Sequence, residues 1–510
     1  INLINSFQRE IYPFFGSKKM IILLGILVGA VAGLVVSLFR ILITLGFSLN
    51  EYIFAQAHRY LFLWFLIIPL YFLIGYILIK LTKRDANIKG SGIPQVEAQL
   101  IDAININWIS VLLRKFVGGI LAISSGLMLG REGPSIQLGA AIGQGLSETR
   151  KMSKSETKIL ISAGAAAGLS AAFNAPIAAI LFVVEEMHHN FSSSVWISAF
   201  ISALTADFVS MEFFGLKPIL HFENIEPLPL NQYLYLIIVG VVMGLLAISY
   251  QKNTLFLPKL FKKISLANHL DIFLPLLLII PSVYFFPKFV GGGNQLILNL
   301  YQTKLPFFLI IMLFLFRYIY SMISYGSGLP GGIFLPILTL GAIIGYLSYK
   351  ILFALNLVND QETGVFIVIG MAAYFGSISM APLTSIILVT EMVGNLEHIM
   401  PLGLTTLVAY LVVDSLGGKP IYESMMINLL KKDQNNKQVR EIYDLPVTVS
   451  SAVIDKKISE ISWPQDCLIV LIIRNSINIP VNGSTKILSN DHLICLINQN
   501  YLKDLKDVLN

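Results

Sequence analysis

Two kinds of apolar segment alternate along the chain, and this alternation constrains the fold more than any other feature. Long runs, such as about 19–53 and 232–266, exceed the ~20 helical residues that cross a bilayer. From residue 89 onward, many apolar pieces are shorter than a span and are cut by glycine, proline, serine or asparagine. Such pieces are tolerated at membrane depth only where they are buried in protein or line a cavity. The pattern predicts an all-α polytopic membrane protein with broken helices.

Charge is scarce and collects between the apolar runs. Of the 510 residues, 55% are hydrophobic and 13% are charged, about half the ~25% charged residues of soluble domains. The formal net charge of +6 reflects basic loops, and no like-charged run carries the aromatics of a nucleic-acid surface. Three basic clusters are predicted to be cytoplasmic by the positive-inside rule: Lys83, Arg84 and Lys89; Arg150, Lys151 and Lys154; Lys259, Lys262 and Lys263. The two cysteines, Cys467 and Cys495, lie far from any metal-ligand pattern, so we expect no metal, cofactor or disulfide framework.

An internal repeat divides the transmembrane part. GREGPSIQLGAAIG at 130–143 overlays GIFLPILTLGAIIG at 332–345, and APIAAILFVVEE at 175–186 overlays APLTSIILVTEM at 381–392. The two offsets, 202 and 206 residues, are nearly equal, so the matches are collinear. One structural unit is therefore used twice, which predicts a site at the interface between the halves.

The motif GREGP at 130–134 sets two charges between apolar segments, where charge is costly. Pro134 can open a helix whose first amides are free, and a helix that begins at membrane depth is an anion site. The carboxylate of Glu132 can itself occupy that site. Protonation would remove its negative charge, so this residue is a candidate gate. The alternative is an Arg131–Glu132 pair on an interfacial loop, which stabilises little.

Three other broken segments carry similar signals. In GSGIP at 90–94, Ser91 is expected at an N-cap and Pro94 in the first turn of a helix. In YGSGLPGGIFLP at 325–336, Phe334 falls where Glu132 falls in the first copy, so a third helix start points to the same place. Tyr422 follows a Gly-Gly-Lys-Pro breaker, where its phenol could donate to an anion or anchor the helix at the interface.

The sequence predicts four segments. After residue 432 the composition becomes polar, and short strand-like runs with intervening helices indicate a small soluble α/β domain. The predicted boundaries are a cytoplasmic amphipathic helix at 1–18, a transmembrane domain at 19–432 with halves of about 19–213 and 232–432, a linker at 433–440 and the small domain at 441–510.

Together the motifs GSGIP, GREGP, GGIFLP at 331–336 and the tyrosine of GKPIY at 418–422 resemble the signature set of the CLC chloride channels and chloride/proton antiporters. The resemblance covers about residues 19–432. The segment 441–510 resembles the TrkA-C domain, the C-terminal half of modules that regulate potassium conductance. Membership in the CLC family implies an inverted repeat and a homodimer in which each subunit has its own pore.

The resemblance also implies roles for particular residues. Hydroxyls of Ser91 and Tyr422 and the backbone amides of Ile333 and Phe334 would bind the central chloride. Glu132 matches the external gating glutamate, and Glu186 in VVEEM at 183–187 matches the internal proton-transfer glutamate of the antiporters. The residues that would shape the pathway are Gly90, Gly92, Arg131 and Gly133. Glu185 and Glu391 are repeat-equivalent and are expected to be structural.

The resulting prediction is a secondary active chloride/proton antiporter, not an enzyme, in a bacterial inner membrane with both termini cytoplasmic. The serine of GSGIP favours chloride over fluoride, and nitrate or bromide could also pass. The small domain could bind an unidentified small ligand.

Three alternatives remain at this stage. The nearest is a passive CLC channel, against which the resemblance offers only the acidic Glu186. A potassium-transport subunit lacks a TVGYG-like filter. An intramembrane serine protease using Ser91 lacks a facing histidine, because all seven histidines lie near the ends of apolar runs.

Overall fold

The computed structural model describes residues 18–188, 193–222, 225–264, 270–434, 440–447, 451, 453–464, 467–474, 477–489, 491–498, 505 and 508. The chain divides into two compact units, Ile1–Ile427 and Asn428–Asn510. The predicted amphipathic helix at 1–18 falls, apart from its last residue, outside the described residues, as does most of the linker at 433–440. Most of 501–510, where the pattern YLKDLKDVLN predicts a helix after the strand-like runs, also lies outside them.

The first half of the transmembrane unit is helical. Its helices are α1 (Lys18–Ala57), α2 (Trp64–Arg84), α3 (Ile93–Leu100), α4 (Trp108–Ser124), α5 (Glu132–Thr149), α6 (Lys154–Phe173), α7 (Pro176–Phe182) and α8 (Ser193–Phe214). A π-helical turn, Val183–His188, continues directly from α7.

The second half has the same character. Its helices are α9 (Tyr233–Ile264), α10 (Leu270–Phe285), α11 (Asn294–Gln302), α12 (Phe307–Gly326), α13 (Phe334–Ala354), α14 (Thr363–Ser379), α15 (Pro382–Val393), α16 (Ile399–Ser415) and α17 (Ile421–Gln434). Seven of the described helices are long and apolar enough to cross a membrane. Among the others, α3, α7 and α11 have only 7 to 9 residues, which confirms the prediction of broken helices.

The sequence repeat is a structural repeat, seen most clearly where two pairs of helices cross. Helix α5 packs on α6 through glycines so closely that a Cβ added to Gly143 would lie 2.0 Å from the Leu160 carbonyl oxygen. In the second half, α13 packs on α14, and a Cβ added to Gly345 would lie 2.1 Å from the Phe366 carbonyl oxygen. These pairs are related by the offsets of 202 and 206 residues read from the sequence.

Two glutamates join the halves reciprocally. Glu391 accepts hydrogen bonds from the amides of Ile177 and Ala178, at 3.1 and 2.8 Å, where α7 begins. Glu185 accepts from the amide of Thr384 at 2.7 Å, where α15 begins. A carboxylate stabilises a helix N-terminus because it satisfies free amides and faces the positive end of the helix dipole. Each half therefore caps a short helix of the other.

The C-terminal unit contains a four-stranded antiparallel sheet in the order β1-β4-β2-β3. The strands are β1 (Arg440–Pro446), β2 (Leu468–Arg474), β3 (Ile477–Pro480) and β4 (His492–Asn498). Its core includes Ile472, Leu493, Cys495 and Ile497, all fully buried. Within the described part of the chain, neither Cys467 nor Cys495 forms a disulfide, and Cys495 is fully buried in the core.

One ion pair makes the stability of this unit depend on pH. The Arg474 guanidinium donates to Asp491 at 2.7 and 2.8 Å, and the Leu488 amide donates to the same carboxylate at 2.8 Å. Burial opposes ionisation of Asp491, but these hydrogen bonds outweigh it and hold the pKa of Asp491 below its usual value. A lowered folded-state pKa contributes stability that is present above the unfolded pKa and lost as pH falls through the folded pKa.

We therefore expect Asp491→Asn to destabilise this unit at pH 7 by about 2 kcal/mol, because Arg474 loses a charged acceptor. The penalty should shrink as pH falls below about 4, where Asp491 of the unfolded chain takes up a proton, and should vanish once pH is also below the lowered pKa of the folded protein. Hydrogen exchange of the β4 amides measures this locally. A penalty that stays the same from pH 7 to pH 3 would contradict the assignment.

Candidate functional site

The Ser91 segment precedes the short helix α3. Gly90 and Gly92 have φ values of +64° and +98°, a left-handed conformation that glycine adopts without strain. A Cβ on Gly92 would also lie 2.5 Å from Gln137 Oε1. The structure corrects one detail of the sequence prediction: Gly92 is the N-cap, and Ser91 lies one residue before it. Pro94 is in the first turn, as expected.

A buried lysine donates hydrogen bonds to the backbone of this segment. Lys115 of α4 is fully buried and donates to the carbonyl oxygens of Ile88 and Gly90, at 2.9 and 2.7 Å. The lysine therefore satisfies two backbone carbonyls on either side of Lys89, next to Ser91. We did not predict this residue from the sequence, although the Arg114-Lys115 pair inside the otherwise apolar run 108–124 is a visible signal.

Ser91 lies against the GREGP motif. A Cβ on Gly133 would lie 2.2 Å from Ser91 Oγ, so only glycine allows this approach. The hydroxyl of Ser91 is buried and makes no hydrogen bond within the described part of the chain. A buried hydroxyl that has no protein partner is a donor available to a ligand.

The two copies of the repeat meet at equivalent glycines. The amide of Gly130 donates to the carbonyl of Gly332, and the amide of Gly332 donates back to Gly130, both at 2.7 Å. The pairing is antiparallel, as a two-fold relation between the halves requires. Because α5 begins at Glu132 and α13 begins at Phe334, two helix N-termini start from this one contact.

Glu132 occupies the space between these helix starts. Its side chain is fully buried, and its carboxylate lies against its own backbone amide and that of Leu335 in α13. Within the described residues, neither carboxylate oxygen completes a hydrogen bond of normal geometry. The carboxyl group thus lies beside Arg131 and faces the positive ends of two helices. Arg131, the N-cap residue of α5, is half-buried beside it.

Aromatic rings connect the start of α13 to Tyr422. The centroid of the Phe182 ring lies 6.2 Å from that of Phe334 and 6.1 Å from that of Tyr422. Tyr422 is fully buried near the start of α17, and its hydroxyl makes no hydrogen bond within the described part of the chain. Ile333 is the N-cap residue of α13 and is also buried. The structure therefore brings three of the four motifs into direct contact, and the Phe182 ring links Tyr422, from the fourth motif, to Phe334.

Glu186 lies on a different element, the π-helical turn after α7. Its side chain is buried, and its Oε1 makes no hydrogen bond within the described residues. Two further carboxylates, Glu97 of α3 and Glu423 of α17, lie near enough to act on its charge. π-helical turns are rare and are frequent at functional sites. Glu97 is buried with both oxygens unpartnered among the described residues, and our sequence analysis did not single it out.

Comparison with known proteins identifies the class. The family model described as "Voltage gated chloride channel" matches residues 70–414, and the TrkA-C domain matches residues 442–510. The H(+)/Cl(-) exchange transporter ClcA of Vibrio campbellii is 33% identical over 438 residues, which cover 84% of this chain and 92% of that protein.

Solved structures agree. A slow cyanobacterial Cl-/H+ antiporter has a TM-score of 0.76 and 28% identity, over 81% of this chain and 99% of that one. A CLC-type fluoride/proton antiporter has a TM-score of 0.66 over 79% of this chain and 98% of that one, and its 22% identity supports the fold alone.

The fold and these matches define a multi-pass membrane transport protein rather than an enzyme. The chain belongs to the voltage-gated chloride channel (CLC) family and carries a C-terminal TrkA-C domain. This confirms the family that the four sequence motifs indicated.

Proposed function

We propose that the protein is a secondary active chloride/proton antiporter of a bacterial inner membrane, homodimeric, with both termini in the cytoplasm. The observation that carries the proposal is the buried Glu132 carboxylate, held between the N-termini of α5 and α13. The exchange-transporter relatives support an antiporter over a channel.

Chloride would bind between Ser91, Tyr422 and the amides of Ile333 and Phe334. The unpartnered hydroxyls of Ser91 and Tyr422 support this assignment, since both are buried donors. A chloride ion in a low-dielectric site needs compensation, but a fixed cation in contact would bind it too tightly for release. Helix N-termini and hydroxyls supply several partial charges and therefore modest, reversible binding.

Coupling would arise from competition at Glu132. The ionised carboxylate takes the place of an anion at the helix starts, whereas the protonated group is free to leave and admit chloride. Proton binding and chloride entry are then linked at one residue.

Glu186 would exchange protons with the cytoplasm on a path separate from that of chloride. Its burial supports this role, because an ionisable side chain inside a membrane protein is costly to keep unless it has a function. Gly90, Gly92, Arg131 and Gly133 would shape the anion pathway. Nitrate or bromide could follow chloride, and the TrkA-C domain could bind a small regulatory ligand.

Proton movement driven by an imposed chloride gradient tests the proposal in proteoliposomes. We expect uphill proton movement with the unmodified protein, and we expect Glu132→Ala to abolish it while chloride flux persists. The alternative is a passive channel. Chloride flux without any proton movement in the unmodified protein would overturn the antiporter and leave that alternative.

A further inference from the structure

A cavity of about 230 Å³ adjoins the candidate gate. Leu335, whose backbone amide faces the Glu132 carboxylate, is part of its wall. Most of the wall is apolar, but Arg131, Lys288 and Asn294 also line it. A liquid water molecule takes about 30 Å³, so a hydrated anion fits.

The loop on one side of this cavity repeats the architecture of the Ser91 segment. Buried Arg317 of α12 donates to the carbonyl oxygens of Phe289, Gly291 and Gly292, at 3.2, 2.8 and 2.8 Å. Arg317 follows Lys115 by 202 residues, the offset of the first repeat match. Each half thus uses one buried cation to satisfy the carbonyls that precede a short helix, α3 in one case and α11 in the other.

The side chains at this cavity favour an anion. Arg131 Nε is buried and makes no hydrogen bond among the described residues, although it lies next to Glu132. Lys288 is exposed and makes no ion pair within the described part of the chain. Asn294 begins α11, and its buried Oδ1, which has no partner there either, is an acceptor that can bind a water molecule but not the anion itself. A cleft lined by charge of one sign concentrates the opposite ion.

We propose that this cavity is an outer anion site, in which Arg131 and Lys288 hold a partly hydrated chloride before Glu132 admits it. The inference rests on the proposed chloride transport. It assigns to the second half of the repeat a counterpart of the Ser91 segment, on the opposite side of the gate. A positive charge at residue 288 is then needed for efficient entry at low chloride.

The test compares a positive with a negative charge at position 288. Proteoliposomes containing the full chain with Lys288→Cys are treated from the bath with membrane-impermeant thiosulfonates that add a cationic or an anionic group. Initial uptake of labelled chloride is measured over a range of bath chloride at constant ionic strength. Because the reagents cannot cross the membrane, they modify only the protein molecules whose outer cavity faces the bath. The part of the uptake that changes on treatment is therefore due to those molecules.

At low chloride, we expect this part to be roughly threefold or more slower with the anionic adduct than with the cationic one, and the difference to vanish at saturating chloride. Lys304→Cys is the matched control, because Lys304 lies beyond the other end of α11, is exposed and pairs with Asp360. The unmodified protein controls for Cys467 and Cys495. Equal uptake with both adducts at position 288, or equal effects at 288 and 304, would overturn the site. Because only chloride is measured, a missing proton flux would not alter this result.

Discussion

Replacing Glu186 with glutamine is expected to reduce chloride-driven proton movement at least about tenfold while chloride flux persists. Glutamine keeps the shape and hydrogen-bonding capacity of the side chain but cannot carry a proton between solvent and the interior. The buried carboxyl and its acidic neighbours make this position costly to retain for structure alone. Proton and chloride fluxes recorded in the same proteoliposomes give the ratio directly.

The adjacent acid provides a matched control. Glu185 accepts hydrogen bonds from Leu383 and Thr384 at the start of α15, which is a structural role. Glu185→Gln should therefore leave the proton-to-chloride ratio unchanged and lower thermal stability instead. Loss of coupling in Glu185→Gln, or unchanged coupling in Glu186→Gln, would reverse the two assignments.

Adding a single methyl group at the helix crossings should strongly destabilise the fold. We expect Gly143→Ala and Gly345→Ala each to cost about 3 kcal/mol, because the new Cβ meets a backbone carbonyl that cannot move aside as a side chain can. The contact distances, 2.0 and 2.1 Å, are far below van der Waals contact. The measurement is the melting temperature of the detergent-solubilised protein.

Gly403→Ala is the control for this series. Gly403 lies inside α16, and its nearest neighbour would be 4.0 Å from the added Cβ. Alanine is the better helix former by up to about 1 kcal/mol, so this variant should be neutral or slightly stabilised. Similar melting temperatures for all three variants would show that the crossings tolerate expansion.

Much of the architecture could be predicted because membrane insertion leaves a strong trace in sequence. The run 19–53 became α1, Lys18–Ala57, and the run 232–266 became α9, Tyr233–Ile264. The short interrupted pieces became short helices, since glycine and proline determine where a helix can start. The four motifs do lie together, although the roles proposed for their residues are still predictions.

The sequence did not reveal which groups the buried charged side chains contact. Nothing in the apolar run around Lys115 says which carbonyls it will reach, because those atoms belong to a segment 25 to 27 residues earlier. The equivalence of Lys115 and Arg317 was visible in principle, since their spacing equals the offset of the repeat. Only the structure reveals that both hold a glycine-rich loop.

The reciprocal caps have a consequence for biogenesis. Glu391 lies 214 residues beyond Ile177 and accepts a hydrogen bond from the Ile177 amide. During synthesis, the first half of the chain therefore enters the membrane while the start of α7 still lacks its acceptor. That short helix reaches its final hydrogen bonding only when α15 arrives, so the two halves mature together rather than one after the other.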